Sequence, residues 1–584
     1  MSESKSFIED VYEPLQQYTN VFKSRFEEVC EATFKELASA SQVDVEANRA
    51  LCAEIRKLEA SAKDISKQLS VKIWLCVLLW IAAAASLGWG IYNLAQFSIL
   101  PLTGGLTIGG LLIVILLLFK IHPDIRKLKA SKKDIIEIIE LKKHEAWQQM
   151  SPLNKLYDWD ILTRMMTQTV PRLEFDPYVT NQRLDELREN YGWDDAFNND
   201  RSVICSYSGT INGNPFAICS TRTMQWTTKR YEGHRTIYWT TTERDANGKL
   251  VTRTHSQTLV AYHDAPYPDY SVDSRLIYGN PAAPDLIFSR QVSNLANKKD
   301  SHRYRSTLRH LQRQSQKLDN FVLANNEDFE ICFDTRNRNN DQQFRLLFTP
   351  LAQQNILSLL RDQTEGYGDD FSFLKHRMIN TIMAAHLETM PLELSPDLYH
   401  SYDFDQAEEN FKRTNAEYFR SIYFTFAPLL SIPLYQQTRS QSSIYANQPK
   451  KSSFWEHEVW ANFWGEQRFR HPECATDCIL KTTQTNTSDG NINIGVTAHG
   501  HKTIPHITTK SVMGGDGKFH SVPVEWYEYI PVTGRGSFLL QEDKTDDTNL
   551  QSVERRSHID NMETQMGEGS IYRRHIASKL HPSY

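Results

Sequence analysis

Cysteine is scarce in this chain: eight residues (Cys30, Cys52, Cys76, Cys205, Cys219, Cys332, Cys474 and Cys478) are scattered over 584 positions. That spacing excludes the dense disulfide framework of a small secreted domain, and free thiols in a reducing compartment are expected. Positive charge is not in excess. A formal net charge of -6 gives no global attraction to nucleic acid or to an anionic bilayer, so any such contact needs a local basic patch. Residues 1–70 carry charges throughout and lack the apolar core of a signal peptide, so the first hydrophobic helix is expected to direct insertion itself. No GxSxG element, dinucleotide fingerprint or kinase signature set occurs.

What is present is folded-protein composition, 40% hydrophobic, 23% charged and 11% aromatic, in a chain long enough for two or three soluble domains besides a small anchor. Mean hydropathy is -0.50, so any membrane signal is local. It lies within residues 71–121. Residues 73–94 read IWLCVLLWIAAAASLGWGIYNL and residues 102–119 read LTGGLTIGGLLIVILLLF; both are uncharged and about as long as a membrane crossing requires. A short proline-containing connector separates them, predicting a two-helix transmembrane hairpin. Arg56, Lys57, Lys63, Lys67 and Lys72 precede the first span, Lys120, Arg126, Lys127, Lys129, Lys132 and Lys133 follow the second, and the connector has no basic residue. Both termini are therefore expected in the cytoplasm, in a multi-pass protein of the cell (inner) membrane. Small residues at four-residue spacing (Ala82, Ser86, Gly90; Gly105, Gly109) would let helix backbones approach, within the hairpin or in a homo-oligomer. No ionisable residue lies deep in either span, which disfavours a transporter.

Apolar residues continue at steps of three and four on both sides: Leu51, Ile55, Leu58, Ala62, Ile65, Leu69, and, with Lys132 as one polar interruption, Ile121, Ile125, Leu128, Lys132, Ile135, Ile139. An antiparallel stalk follows, with Leu69 near Ile121 and Leu51 near Ile139; an intermolecular coiled coil is the rival. Upstream, Val21, Phe22, Phe26, Val29 and Phe34 predict another amphipathic helix. The expected organisation is a cytoplasmic helical region over residues 1–70, the hairpin over 71–121, a stalk helix over 122–150, an α+β domain over 151–435, a polar linker over 436–453 and a β-rich domain over 454–584 with a polar, mobile or weakly helical tail. The fold class is thus a membrane-anchored α+β protein.

In the soluble body, strand-like runs flank Asn212-Gly213 and Asn247-Gly248, two tight-turn signals of an antiparallel sheet. FEICF (329–333) and FRLLFTP (344–350) read as strands around the helix-like LAQQNILSLLRD, and an apolar run at 378–385 reads as a further strand. SDGN, MGGDGK and TGRG read as turns in the C-terminal part. The order of N-terminal helices, two-span hairpin, small sheet with an NGN turn, FEICFDTRNRNNDQQFRLLFTPLAQQNILSLL and an amphipathic segment ending in Phe411 resembles a family of uncharacterised bacterial membrane proteins that share a domain of unknown function. The likeness covers residues 20–435. It implies a membrane location and a cytoplasmic domain, and supplies no active-site residues.

Two constellations carry candidate chemistry. His471, Cys474 and Cys478, with His457, His499, His501 and His506 nearby, offer ligands that suit zinc, although a Cys-x-x-x-Cys pair lacks the spacing of common zinc modules. Arg303, Arg305, Arg309 and Arg313 would line one side of a helix as an anionic-ligand patch for lipid phosphates, with nucleic acid the less favoured ligand; a plain solvated face is the alternative. Asp194-Asp195 and Asp369-Asp370 read as surface or capping residues. The expectation is a noncatalytic membrane-anchored scaffold whose partners are the lipid bilayer and another protein; the alternatives are a membrane-tethered, zinc-dependent enzyme and a reader of anionic ligands through the basic helix.

Overall fold

A computed structural model describes residues 13–95, 101–194, 200–244, 249–293, 295–298, 301–317, 326–335, 337–390, 392–437, 451–486, 491–545 and 550–581. The chain divides into two compact units, one drawn from Met1–Thr33, Asp158–Ser395 and Asn415–Tyr584, the other from Phe34–Tyr157 and Pro396–Thr414.

The smaller unit is helical. Its first long helix, Val45–Ala95, carries one apolar span, and Pro101–Leu116 carries the other, continuing through a π-helical turn at Leu117–Ile121 into His122–Asn154. The protein thus has two helices long and apolar enough to cross a membrane. Leu51 and Ile55 pack with Ile139 and Ala146, while Leu69, Cys76 and Leu79 pack with Leu117, Ile121 and Ile125, which is the expected antiparallel stalk. Ion pairs Lys72–Asp124 (2.7 Å) and Lys142–Glu54 (2.9 Å) cross the same seam. At its far end the buried Asn48 side-chain amide donates to the Tyr402 carbonyl (3.0 Å) and accepts from the Phe404 amide (3.0 Å), tying the long helix to the start of the helix Phe404–Leu430. Within the spans the small residue at the crossing is Gly110, where an added Cβ would lie 2.5 Å from Ser86 Oγ and 2.9 Å from Leu87; Gly109 has nothing within 4 Å. Side chains at Gly90 and Gly105 lie outside the described residues.

The larger unit holds two antiparallel sheets. In chain order the strands are β1 Leu173–Phe175, β2 Arg201–Ile211, β3 Asn214–Arg244, β4 Leu250–Gly279, β5 Ile287–Arg290, β6 Phe371–His376, β7 Ile379–Ala384, β8 Ile479–Asn486, β9 Ile492–Met513, β10 Phe519–Glu542, β11 Ile571–Arg573 and β12 Ile576–Leu580. The first sheet runs β1-β2-β3-β4-β7-β6-β5 and the second β11-β12-β10-β9-β8. Asn212 and Gly213 take φ of 52° and 74°, the left-handed pair that a two-residue hairpin turn needs between β2 and β3. The Asn247-Gly248 turn lies outside the described residues, but the strands beside it pair from Phe216–Tyr278 out to Arg244–Leu250. The helix Phe454–Trp464 serves both sheets: Trp455 and Val459 join the core under the first, and Trp460 and Ala461 join the core under the second.

Three local expectations are corrected. FEICF and FRLLFTP are not strands: FEICF lies in the helix Glu327–Phe333, and FRLLFTP runs from the helix Asp341–Leu347 through Phe348 and Thr349 into the start of the helix Pro350–Arg361. The side chains of Asn326 and Asn340 accept from the backbone amides of Phe329 and Gln343, so each segment starts at an N-cap, and Phe329, Phe333, Phe344 and Phe348 fall at helical spacing into one aromatic cluster. TGRG is not a turn but lies within β10, where Gly534 and Gly536 are needed because Phe469 and its neighbours press on them. MGGDGK is the expected turn between β9 and β10, and SDGN falls largely outside the described residues. The polar tail is ordered, as the helix Ser552–Met566 followed by β11 and β12.

The crossing at Gly110 gives a prediction. Gly110→Ile pushes the two spans apart and lowers detergent-solubilised thermal stability by about 1–3 kcal/mol, as overpacking does elsewhere, while Gly109→Ile leaves it unchanged. Thermal melts of the two variants side by side check this.

Candidate functional site

The expected metal trio is only partly brought together. Cys474 and Cys478 place their sulfurs 3.6 Å apart beneath Gly500 of β9, whose missing side chain leaves room for both. His471 instead contributes its carbonyl to the Cys474 amide and accepts the Glu473 amide at its own Nδ1 (3.2 Å). The other histidines disperse: His501 meets Tyr270 Oη (3.0 Å), His506 meets Glu528 (2.8 Å) and His457 is buried beside Ser452. Among the described residues no three His, Cys, Asp or Glu side chains are grouped to hold a metal. Burial, and then Cys474 beside it, pushes the Cys478 thiol up, away from the thiolate that binds soft metals.

The basic helix forms as expected over His302–Lys317, with Arg303, Arg305, Arg309 and Arg313 exposed and Tyr304 and Leu311 buried; Leu318 lies outside the described residues. Asp369 and Asp370, read as surface or capping residues, are not on the surface, although Asp370 also accepts from the His386 backbone amide (3.4 Å) at the start of the short helix His386–Thr389. Asp369 pairs with the fully buried Arg290, and Asp370 with His386 Nδ1 (2.5 Å), because the turn before β6 folds inward against β5.

The Phe454–Trp464 helix buries three consecutive ionisable residues, Glu456, His457 and Glu458. Its composition carried the signal: WEHEVWANFW is apolar on every side of a helix, and such a helix is enclosed. Glu458 accepts from Lys481 Nζ (2.7 Å) and the Val203 amide (2.9 Å), and burial pushes its carboxyl up to about 7. Burial pulls His457 down to about 4. His457 Nε2 lies 3.1 Å from Ser452 Oγ, a nucleophile and base side by side, yet the Ser452 hydroxyl donates to Glu542 (2.6 Å), so the histidine is the donor to Ser452 and takes no proton from it. Nearby, the Arg574-His575 turn between β11 and β12 holds positive φ angles of 49° and 58° without glycine. It presents Arg573 to Glu393 and over Trp460 and Phe463, and Arg574 to the Ser206 carbonyl and over the Tyr207 ring. This network binds the C-terminal strands to the first sheet.

Lys375 on β6 is a buried lysine that no sequence pattern marked. Its ammonium donates to the carbonyls of Ala282 (3.1 Å) and Arg377 (2.6 Å), and burial pulls its pKa down to about 7. A surface cleft of about 640 Å³ lies elsewhere, lined by Glu327, Asp328, Arg345, Phe348 and Gln353 among others; Asp328 is engaged by Tyr304 and Arg361, and Arg345 by Asp341.

Two of the strands extend as an arm. Beyond their pairing with β2 and β7, β3 and β4 continue as a two-stranded ribbon over Met224–Arg244, about 70 Å at 3.3 Å per residue. β9 and β10 form a second ribbon, and the two stack: Tyr231, Leu259, Ala261 and Ala265 close on Val522 and Val524, with Trp526 against His263. The β9–β10 turn seats on the first ribbon, the Gly515 amide donating to Gln257 Oε1 (2.6 Å) beside Trp239.

No protein-family model, curated protein or solved structure matches this chain.

Two stability predictions follow from the buried charges. The lysine's pKa is depressed on folding, so its contribution is complete above its unfolded value near 10.5 and is lost as pH falls toward about 7. Stability of the wild type therefore climbs by ~1 kcal/mol per pH unit across that window, and Lys375→Met both flattens the slope and raises stability at neutral pH, as denaturant titrations at several pH values will show. Arg573→Ala removes a buried guanidinium from beside the half-buried Glu393 and costs about 3–5 kcal/mol in the same titrations, against less than about 1 kcal/mol for Arg556→Ala.

Proposed function

We propose that this protein is a noncatalytic membrane-anchored scaffold: the hairpin lies in the inner membrane, both termini face the cytoplasm, and the body presents the stacked ribbons to a partner. The resemblance to the uncharacterised two-span bacterial family belongs to the same reading. The observation that carries it is the arm, a long element that builds its own core with Val522 and Val524 and still holds large apolar side chains in solvent at its ends. Such a surface is what an interaction site looks like. Anchoring is supported by the spans themselves, where Trp74 is 69% and Phe119 79% exposed in the isolated chain, apolar area that acyl chains would cover. The basic flanks support the orientation.

Membrane fractionation tests the anchor. The protein is expected to stay with the pellet after alkaline carbonate extraction and to leave it when the two spans are replaced by a soluble linker. Protease added to right-side-out vesicles is expected to spare both termini; cleavage of either terminus there sinks the proposed orientation.

A further inference from the structure

Along the outer part of the arm, apolar and basic side chains share the surface. Phe519 and Met513 face each other across the β9–β10 hairpin, 71% and 59% exposed, on either side of the glycine-rich turn. On the longer ribbon Leu250 is 63% exposed opposite Arg244. Lys510 and Lys518 stand exposed on the same hairpin, and Arg244, Lys249 and Arg253 stand exposed further out on the longer ribbon, whose strands continue past the Trp239–His255 pair where the β9–β10 turn seats; Arg253 is ion-paired with Glu243 (3.8 Å). The acidic residues there are Glu243 and Asp516, with Asp245 in the sequence of the β3–β4 turn. A chain of net charge -6 thus carries more basic than acidic residues along the outer part of this arm.

We infer that the outer part of the arm docks on an anionic phospholipid surface. The apolar pair flanks the turn of its hairpin on the outer part of the stacked ribbons, where it can enter the interfacial layer side-on, and the lysines and arginines along both ribbons sit where headgroup phosphates would meet them. Its glycines are explained by packing: an added Cβ at Gly514 would lie 2.6 Å from Ile237, and one at Gly515 2.9 Å from Trp239. The turn is therefore held against the first ribbon, and Phe519 and Met513 are presented on a fixed support. A second copy of the chain is the competing occupant, but it would share the same positive charge along the outer arm and repel it at close range. This inference rests on the scaffold reading for its tether, yet concerns different residues from the spans.

The test uses the full chain reconstituted in phosphatidylcholine vesicles with and without phosphatidylglycerol. Ser511→Cys, on the same face as Met513, carries an environment-sensitive dye; the native cysteines are all buried. The expected result is a blue-shifted emission, quenched by brominated lipid, only when the anionic lipid is present. That quenching falls by about tenfold on raising salt several-fold, or in the Lys510→Glu/Lys518→Glu pair, since both act on the same screened attraction. Phe519→Ser/Met513→Ser removes it, while neutralising Arg303, Arg305, Arg309 and Arg313 leaves it intact. Emission that is the same in both lipids, or that shifts with protein-to-lipid ratio in phosphatidylcholine alone, overturns the inference, the latter in favour of a second copy. Carbonate extraction of the same vesicles reports separately on the hairpin: protein that washes off while the anionic-lipid signal persists with added vesicles would refute the anchor and retain the docking arm.

Discussion

A two-stranded ribbon in water has no second layer to bury an apolar face and is marginal alone. The region of β3 and β4 beyond their sheet neighbours faces that constraint over its whole length, and its core residues come from β9 and β10, some 250 positions later in the chain. Each buried valine or leucine contributes about 1.5–3 kcal/mol, so Val522, Val524 and Leu259 together can hold a ribbon that would otherwise fray. The stacking in turn requires that the two sheets from which the ribbons grow be fixed against each other. The Phe454–Trp464 helix does this, with one tryptophan in each core.

Burying Glu456, His457 and Glu458 is the consequence of using that helix as a shared wedge. A charged group enclosed without a partner is costly, and the surrounding structure answers with Lys481 on Glu458, Ser452 on His457 and two arginines of the last hairpin near Glu456. The strained Arg574-His575 turn makes sense in this setting: it turns two guanidiniums inward where the first sheet needs cations. These groups resemble catalytic machinery by type, and most of their hydrogen bonds run to one another and to backbone, as from Lys481 to Glu458 and from Arg574 to the Ser206 carbonyl. Their task is to join distant segments of the chain.

The helical unit follows a simpler logic. Once two uncharged spans are joined by a few residues, their flanking helices are held at high local concentration and pair along their apolar stripes. The exposed tryptophans, leucines and phenylalanine of the spans and the exposed apolar side chains of the outer arm are two of the places where apolar surface is left uncovered among the described residues. The first is broad and uncharged; the second is smaller and has more basic than acidic residues along it.

Local sequence by itself determined the helical hairpin, the pairing of Leu51 with Ile139 and Leu69 with Ile121, the Asn212-Gly213 turn and the exposed arginine helix, because each depends on a period or a turn preference within a short window. It misled at FEICF and FRLLFTP, where apolar content suited a strand but N-caps and phenylalanines four apart chose a helix, and at TGRG, where glycine served close packing instead of a turn. Only the tertiary structure decided the stacking of the ribbons, the separation of His471 from the Cys474–Cys478 pair, the burial of Lys375 and the closure of the Arg573–Glu393 pair. Each of these joins residues that the sequence places far apart or leaves unmarked. Their energies come from desolvation and contact, which exist only once the layers have met.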